Sequence, residues 1–223
     1  MTDTTQQRIN MVDSQVRPSD VTDRRIIKAM LELPREAFAP AALRAMAYMD
    51  GPLPVTAPGA AGPARRLLAP RTLAKLVQLA ELEPDSAVLD VGCGTGYSTA
   101  LLAKIAGRVV ALEPDPGLAE RAGKLLAELG LDNAKVVQGA LAAGLPDDAP
   151  FDAILLNGAV PEVPQALLEQ LKDGGRLLAV VAPGSYGRAF VWLRTGTSYA
   201  SRAAFDAAAD PLPGFAREAG FVF

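Results

Sequence analysis

Histidine is absent from the 223 residues of this chain. A Ser-His-Asp triad, a Cys-His pair and any histidine-based metal site are therefore excluded. Cysteine occurs once, as Cys93, so no disulfide can form within the chain. A single free cysteine is typical of a reducing compartment, and we expect a cytoplasmic protein.

Long apolar runs are also missing. No stretch approaches the roughly 18 apolar residues that a membrane-spanning helix needs. The opening stretch "MTDTTQQRINMVDSQ" lacks the apolar centre of a secretory signal. The formal charge is −3, which gives no electrostatic reason to expect a nucleic-acid partner. We expect neither a membrane partner nor a nucleic-acid partner.

Apolar segments of two kinds alternate from residue 86 onward. The predicted strands are "AVLDV", "RVVALEP", "AKVVQG", "FDAILLNG" and "RLLAVVAP". The predicted helices are "STALLAKIAG", "DPGLAERAGKLLAELG" and "PQALLEQLKDGG". Alternating helices and almost continuously apolar strands are typical of a parallel sheet covered on both faces. The expected fold is α/β, a Rossmann-like doubly wound and mostly parallel sheet with helices on both faces.

The two ends of the chain follow other patterns. Helical periodicity predicts a helix over 21–33, a second helical stretch broken near Pro40, and a helix that begins at Pro70. The tail segments "RAFVWLR" and "SYASRAAF" predict an antiparallel hairpin, and "FVF" predicts a short last strand. We expect residues 1–79 to form a helical segment and substrate-side loop packed over the carboxyl ends of the strands. Residues 80–223 would form the Rossmann-like core.

The stretch "VLDVGCGTGYSTALL" is the most informative part of the sequence. Gly92, Gly94 and Gly96 follow a predicted strand and open a predicted helix, where ligands bind in this fold class. A dinucleotide site has the spacing G-x-G-x-x-G, but position 97 is tyrosine. The spacing therefore argues against a nicotinamide cofactor and favours a ligand without a pyrophosphate.

Carboxylate and amide side chains follow or end the neighbouring strands. Glu113 ends the second strand about 20 residues after the loop, where a carboxylate can accept hydrogen bonds from two ribose hydroxyls. Asp90 precedes the loop and could accept hydrogen bonds from its backbone. Asn157 ends the fourth strand, where it could orient a ligand or cap the strand end. Cys93 is expected to be a small filler of the loop.

The segments "LDVGCGTGY" and "VVALEPD" resemble the first two motifs of S-adenosylmethionine-dependent methyltransferases. The resemblance implies S-adenosyl-L-methionine as cofactor, which has a ribose and an adenine but no phosphate. "FDAILLNGAV" is not followed by an Asn-Pro-Pro-Tyr-like run, which argues against methylation of amino groups on DNA bases.

Further segments narrow the resemblance. "MVDSQV", "LPREAFAP", "AYMDGPLPV", the glycine motif and "PQALLEQLKDGGRLLAVV" occur in this order, and resemble the protein-L-isoaspartate O-methyltransferases up to about residue 182. That family methylates the α-carboxylate of isoaspartyl residues in proteins and peptides, which initiates their repair. A carboxylate is already an anion at neutral pH and needs no general base, which suits a chain without histidine.

Two departures from the family pattern concern the site. The family has Thr-Ile-Ser-Gln-Pro before the glycine motif, but alignment on Pro70 places Arg66 and Leu68 where the two hydroxyl residues would stand. The family's Gly-Asp-Gly, whose aspartate binds the adenine amine, is replaced by "GAL", so that only the main chain of Ala140 could contact adenine. In the segment "RRLLAP", residues 65–70, we expect Leu67 and Leu68 to wall the methyl-donor pocket and the arginines to face an anionic substrate. The alternative for Arg65 and Arg66 is a pair of solvated loop charges.

The residues predicted to bind the cofactor are Asp90, Gly92, Cys93, Gly94, Gly96, Glu113, Pro114, Ala140 and Asn157. The residues predicted to bind the substrate are Arg66, Leu68 and Arg71. We expect no metal and assign no catalytic residue. Asp13, Gln15 and Arg17 match an early polar segment of the family, whereas Trp192 and Tyr199 are expected to pack in the core. Residues 50–66 are rich enough in glycine and proline to permit a mobile loop.

The sequence leaves three interpretations open. The first is an O-methyltransferase acting on an isoaspartyl or other carboxylate in a protein or peptide. The second keeps the cofactor and changes the acceptor to a different small molecule or peptide. The third is a catalytically silent relative that acts through protein interactions. Arg66 and the missing serine favour the second interpretation, and the missing serine and aspartate favour the third. The intact glycine motif and Glu113 argue against the third.

Overall fold

A computed structural model of the chain describes residues 4–56, 65–182 and 187–215. The strands of this part are β1 (Leu53–Pro54), β2 (Arg66–Leu67), β3 (Ala87–Val91), β4 (Arg108–Glu113), β5 (Ala134–Gln138), β6 (Phe151–Val160), β7 (Leu171–Val181), β8 (Arg188–Thr195) and β9 (Ser198–Asp206). The α-helices are α1 (Thr4–Met11), α2 (Arg24–Glu32), α3 (Pro70–Leu79), α4 (Tyr97–Ala103), α5 (Pro116–Glu128) and α6 (Gln165–Leu168).

Seven of these strands form one sheet in the order β5-β4-β3-β6-β7-β8-β9. The five strands from β5 to β7 are parallel, and β8 and β9 continue the sheet as an antiparallel hairpin. This confirms the predicted Rossmann-like sheet with its C-terminal hairpin. The two short strands β1 and β2 pair with each other in a separate antiparallel ribbon.

Side chains alternate between the two faces of the sheet along each central strand, so most of the core lies in two apolar clusters, one on each face. In β3, Val88 packs in one apolar cluster and Leu89 in the other, as expected for side chains that point to opposite faces. The first cluster includes side chains of α3, α4 and α5 and of the N-terminal segment. The second includes side chains of α6 and of the C-terminal segment 207–215. Helices thus cover both faces of the sheet.

Helix α5 shows how local signals fix an element. The Asp115 side chain caps its start by accepting a hydrogen bond from the Leu118 N–H at 2.8 Å, and Pro116 occupies the first turn. Gly130 follows the helix with φ +65°, and the Leu131 N–H reaches back to the Leu126 carbonyl at 3.0 Å. This is a glycine-dependent C-terminal cap, and the helix predicted here is confirmed.

The N-terminal segment lies against the loop that follows β3. The Thr95 hydroxyl donates to the Phe38 carbonyl at 2.8 Å, and the Arg121 side chain of α5 donates to the Ala39 carbonyl at 2.5 Å. The second predicted helical stretch is present only as two 3₁₀ turns, Arg35–Phe38 and Ala41–Met46. The interruption is at Pro40, which has no N–H to continue a helix and is extended at ψ 148°.

The helix predicted from "PQALLEQLKDGG" is much shorter than expected. It ends at Leu168, because Leu171 already pairs with Phe151 of β6 and begins β7. Gln170 fixes this change of direction by donating to the Ala143 carbonyl at 2.8 Å. The predicted last strand "FVF" and part of the predicted loop 50–66 lie outside the described residues. Among the described helices, none has the length and apolar character needed to cross a bilayer.

Candidate cofactor and substrate site

The glycine loop joins β3 to α4 at the carboxyl edge of the sheet. Gly92, Gly94 and Gly96 have φ of +73°, +59° and +90°, which side-chain-bearing residues rarely adopt. The Gly92 N–H donates to the Leu112 carbonyl of β4 at 2.7 Å, so the loop lies directly beside the end of the neighbouring strand. The left-handed turns explain why glycine recurs at every second position.

Three side chains lie over the first of these glycines. A Cβ added to Gly92 would be 2.7 Å from Leu212 Cδ2, 3.3 Å from Arg65 Nη2 and 3.4 Å from Leu141 Cδ1. Leu212 belongs to the C-terminal segment, whose backbone bonds β6 through Leu212 N–H to the Ala159 carbonyl at 2.9 Å. The space above the glycine loop is therefore closely packed.

Asp90 is fully buried in β3 and accepts hydrogen bonds from three side chains. The Ser98 hydroxyl donates at 2.8 Å, the Thr99 hydroxyl at 2.6 Å, and the Asn157 amide nitrogen also donates. Burial raises the pKa of Asp90 to about 6, although these three donors oppose the rise. The sequence placed Asp90 and Asn157 in the site separately, and the structure brings them together.

Glu113 ends β4 with its side chain completely buried. Its carboxylate accepts hydrogen bonds from the Gly94 N–H at 2.8 Å and from the Asp115 N–H at 3.3 Å. It also forms a two-point ion pair with Arg65, at 2.8 Å for Nη1–Oε1 and 3.0 Å for Nη2–Oε2. The carboxylate predicted to hold a ribose is thus placed at the loop, but it is engaged by an arginine.

Arg65 does not face a substrate as predicted, because its side chain is buried against Glu113. It is the first arginine of "RRLLAP", and its partner Glu113 is distant along the chain. The available signal was alternation, because consecutive residues of an extended segment point to opposite sides. Arg65 accordingly points into the protein, whereas Arg66 is exposed and pairs with Asp210 at 3.3 Å.

A narrow cavity of about 10 Å³ joins the predicted substrate and cofactor residues. Its walls include Arg66, Leu67 and Leu68 on one side and Gly92, Cys93 and Asn157 on the other. A cavity of this size holds one water molecule at most. Leu67 and Leu68 line this cavity together with Gly92 and Cys93 of the glycine loop, and the space between them is nearly closed.

Arg71 lies elsewhere. It is exposed, its Nε is 3.7 Å from Asp50 Oδ1, and it borders a separate cavity of about 480 Å³ together with Lys75. The structure therefore does not bring Arg71 together with Arg66 and Leu68. Its predicted contact with the substrate requires a ligand that extends into this larger cavity.

The other residues predicted to bind the cofactor differ in their burial. Cys93 is buried, and burial raises the pKa of its thiol well above the ordinary value. Pro114 is half-buried and its carbonyl accepts from the Gln138 side chain at 3.4 Å. Ala140 is exposed at the start of a 3₁₀ turn, where its main chain is accessible.

The remaining polar and aromatic residues singled out from the sequence form contacts outside the glycine loop. Asp13 and Arg17 form an exposed pair at 2.9 Å, and the Gln15 amide donates to the Tyr48 carbonyl at 2.9 Å. Trp192 and Tyr199 pack against the second apolar cluster, as expected. Among the described residues, no group of three or more histidine, cysteine or acidic side chains is arranged to hold a metal.

Comparison with known proteins identifies related sequences. Residues 6–201 match the family model described as Protein-L-isoaspartate(D-aspartate) O-methyltransferase (PCMT). The protein-L-isoaspartate O-methyltransferase of Methanoculleus marisnigri is 40% identical over 177 residues, which cover 79% of this chain and 78% of that protein. The protein-L-isoaspartate O-methyltransferase 1 of Syntrophobacter fumaroxidans is 40% identical over 176 residues, 78% of each chain.

Solved structures give the same picture. A protein-L-isoaspartate O-methyltransferase superposes with a TM-score of 0.83 and 25% identity, over 93% of this chain and 67% of the other. A Plasmodium falciparum protein in complex with S-adenosyl-L-homocysteine has a TM-score of 0.75 over 96% of this chain and 100% of its own. At 19% identity, this second likeness concerns the fold alone.

Proposed function

Because the chain belongs to the protein-L-isoaspartate O-methyltransferase family, we propose that it transfers a methyl group from S-adenosyl-L-methionine to a carboxylate of a protein or peptide. The preferred acceptor is the α-carboxylate of an isoaspartyl residue. The observation that carries the proposal is the position of the buried Glu113 carboxylate, 2.8 Å from the Gly94 N–H of the glycine loop. A glycine turn beside an acidic strand end suits a nucleoside, and the G-x-G-x-G spacing favours one without a pyrophosphate.

The residues at the loop have the chemistry to hold such a ligand. Glycines at 92, 94 and 96 would permit a close approach once the side chains over Gly92 move, and the Glu113 carboxylate, now bonded to Arg65, is the group that would accept from ribose hydroxyls. Asn157 lies within the adjacent strand β6, lines the narrow cavity and donates to Asp90 from its amide nitrogen. The exposed main chain of Ala140 is available to adenine, without the carboxylate that the family has there.

No general base is needed for the transfer. Bound S-adenosylmethionine would supply an electrophilic methyl group for the acceptor carboxylate, with the neutral thioether as leaving group. The acceptor is already ionised at neutral pH. The task of the protein is to position the two reactants and exclude water, and the apolar walls Leu67 and Leu68 suit that task.

The acceptor carboxylate requires a partner in place of the missing hydroxyls. Arg66 is the candidate, because it borders the narrow cavity and its ion pair with Asp210 is exposed at 3.3 Å. An exposed pair of this kind is worth little and can be exchanged for a substrate carboxylate. A guanidinium can bind that carboxylate at two points.

A different acceptor, or a silent relative that acts through protein interactions, is the second candidate. Both alternatives are favoured by Leu68, because this buried leucine stands where the family has the serine beside the substrate. We propose a cytoplasmic site of action without a metal or nucleic-acid partner, and a substrate-side role for residues 1–79 opposite the core of 80–223. The single buried Cys93 is compatible with a reducing environment.

The deciding experiment measures transfer of labelled methyl from S-adenosylmethionine to an isoaspartyl peptide, with the matching aspartyl peptide as control. Base-labile labelling of the isoaspartyl peptide alone supports the proposal. Labelling of neither peptide, at enzyme concentrations where a serine-containing family member succeeds, rejects the isoaspartyl assignment. Binding of S-adenosylhomocysteine then separates a changed acceptor from a protein that has lost the cofactor.

A further inference from the structure

Arg65 and Glu113 form an ion pair inside the predicted cofactor site. Only 8% of the Arg65 side chain and none of the Glu113 side chain is exposed. Besides its two contacts with the carboxylate, Arg65 donates from Nη2 to the Gly92 carbonyl at 3.0 Å. One guanidinium thus bridges the end of β4 and the first glycine of the loop. A planar fork of donors is well suited to such a bridge.

The acceptors of Glu113 are all in use. Oε1 accepts from Arg65 Nη1 and from the Asp115 N–H, and Oε2 accepts from Arg65 Nη2 and from the Gly94 N–H. An ionised carboxylate offers about four acceptor positions. A ribose hydroxyl can therefore bond Glu113 only by displacing one of these donors. Arg65 is the only one of them that donates from a side chain, since Gly94 and Asp115 donate from the backbone.

The C-terminal segment reinforces this closed arrangement. A Cβ on Gly158 would lie 2.6 Å from Leu212 Cγ, and one on Gly92 would lie 2.7 Å from Leu212 Cδ2, so Leu212 fills the space between the two strand ends. Arg66, the neighbour of Arg65, is paired with Asp210 of the same segment. Arg65, which precedes β2, therefore attaches this segment to β4, and Arg66 of β2 attaches it to the C-terminal segment.

We propose that Arg65 is an internal competitor of the cofactor, which occupies the ribose-binding carboxylate until the nucleoside displaces it. The inference rests on the proposed function, because it concerns the same site. Only molecules in which Glu113 is released from Arg65 can bind the cofactor. The apparent cofactor affinity is therefore lowered in proportion to the fraction of molecules in which the pair is open. Neutral ribose hydroxyls replace a buried cation in this exchange, which keeps the paired state favoured when the cofactor is scarce.

Calorimetric titration with S-adenosylhomocysteine tests the competition. We expect Arg65→Gln to bind S-adenosylhomocysteine at least tenfold more tightly than the unchanged protein, because a neutral amide is displaced from Glu113 more easily. The matched control is Arg108→Gln, since Arg108 begins the strand that Glu113 ends and forms its own exposed pair with Asp148. Equal or weaker binding by Arg65→Gln overturns the inference.

A second measurement uses the unchanged protein and does not depend on the folding of a variant. A dicarbonyl reagent modifies accessible arginines, and mass spectrometry quantifies Arg65 against the exposed Arg108. The probe is 5′-methylthioadenosine, which carries the ribose hydroxyls without an amino-acid carboxylate that a released arginine could bind. We expect saturating probe to accelerate modification of Arg65 at least fivefold. Unchanged protection of Arg65 at saturation overturns the inference.

The two proposals fail in different ways. If the unchanged protein and Arg65→Gln bind S-adenosylhomocysteine equally and methylate the isoaspartyl peptide, the competition is wrong and the proposed function stands. If neither protein binds S-adenosylhomocysteine or 5′-methylthioadenosine, the proposed function is wrong and the inference falls with it.

Discussion

Asn157 of β6 donates a hydrogen bond from its amide nitrogen to the carboxylate of Asp90 on the adjacent parallel strand β3. Asp90 is the next-to-last residue of β3, whereas Asn157 lies within β6, which continues to Val160 and does not end at Asn157 as predicted. The Ser98 and Thr99 hydroxyls of α4 donate to the same carboxylate. The Asp90 carboxylate thus has three hydrogen-bond donors but is completely buried. This combination of burial with neutral donors makes Asp90 a site of proton uptake near pH 6.

The first prediction concerns the pH dependence of stability. Burial raises the pKa of Asp90 from 3.8 to about 6, so the native state binds this proton more tightly than the unfolded chain. Protonation stabilises the fold fully below about pH 4, and that contribution is lost as the pH rises through about 6. Relative to Asp90→Asn, the free energy of unfolding should fall by about 2–3 kcal/mol between pH 4 and pH 7.

Urea titrations of both proteins across this range provide the measurement. Other carboxyls, such as Asp23, whose pKa is lowered chiefly by its hydrogen bond with the Arg25 side chain, act in the opposite direction in both proteins. The difference between the two curves therefore isolates Asp90. A constant difference from pH 4 to pH 7 would contradict the assignment.

The second prediction concerns Leu68. Leu68→Ser restores a hydroxyl at the position where the family carries one, and we expect kcat/KM for an isoaspartyl peptide to rise at least tenfold. The variant should lose about 2–4 kcal/mol of stability, because a buried leucine is truncated and a hydroxyl is buried. Leu67→Ser is the matched control, since Leu67 is equally buried but aligns with an apolar residue. Similar gains in both variants would count against a specific role for position 68.

The third prediction concerns Gly158, which lies beneath the C-terminal segment. An added methyl group would be 2.6 Å from Leu212 Cγ and 2.8 Å from the Asp210 carbonyl oxygen. Gly158→Ala should therefore displace the segment and lower stability by about 1–3 kcal/mol. Gly123→Ala is the control, because nothing lies within 4 Å and alanine favours the interior of α5 by up to about 1 kcal/mol. Thermal unfolding compares the two, and equal shifts would refute the packing argument.

The fourth prediction concerns Arg35, which is completely buried. Its side chain donates to the Ala47 carbonyl at 2.9 Å and to the Leu68 carbonyl at 2.9 Å, and its guanidinium lies 4.7 Å from the centre of the Tyr97 ring. Lysine has one ammonium group and cannot reproduce this fork, so Arg35→Lys should cost about 2–3 kcal/mol.

Urea denaturation measures this loss, with the exposed Arg24→Lys as control. Loosening of the Leu68 backbone should also speed hydrogen exchange in the segment 65–69. A stable Arg35→Lys variant with unchanged exchange would show that the buried arginine does not hold this segment.

The parts of the fold that the sequence predicted are those encoded by neighbouring residues. The turn of Gly92–Gly96, the strand β4 ending in Glu113 and the capped helix α5 each depend on local signals. The helix expected near Gln165 was too long, because the pairing of Leu171 with Phe151 in the sheet outweighs helical periodicity. Pairing between distant segments cannot be read from a local pattern.

The sequence proposed residues for the site but not the contacts between them. Glu113 lies beside the loop as expected, yet its ion pair with Arg65 joins segments 48 residues apart. The sequence interpretation assigned both arginines of "RRLLAP" to an anionic substrate, whereas in the structure Arg65 turns inward and pairs with Glu113. Only the alternation of a short extended segment distinguishes them, and its direction is set by the tertiary fold.

The single thiol of Cys93 offers a way to follow opening of the glycine loop. It is 2% exposed within the glycine loop, its pKa is raised by burial, and no other cysteine exists in the chain. A thiol-specific chromophore can therefore react only in molecules whose loop has opened. Its reaction rate reports the frequency of that opening, so the unmodified protein carries its own kinetic probe at the site.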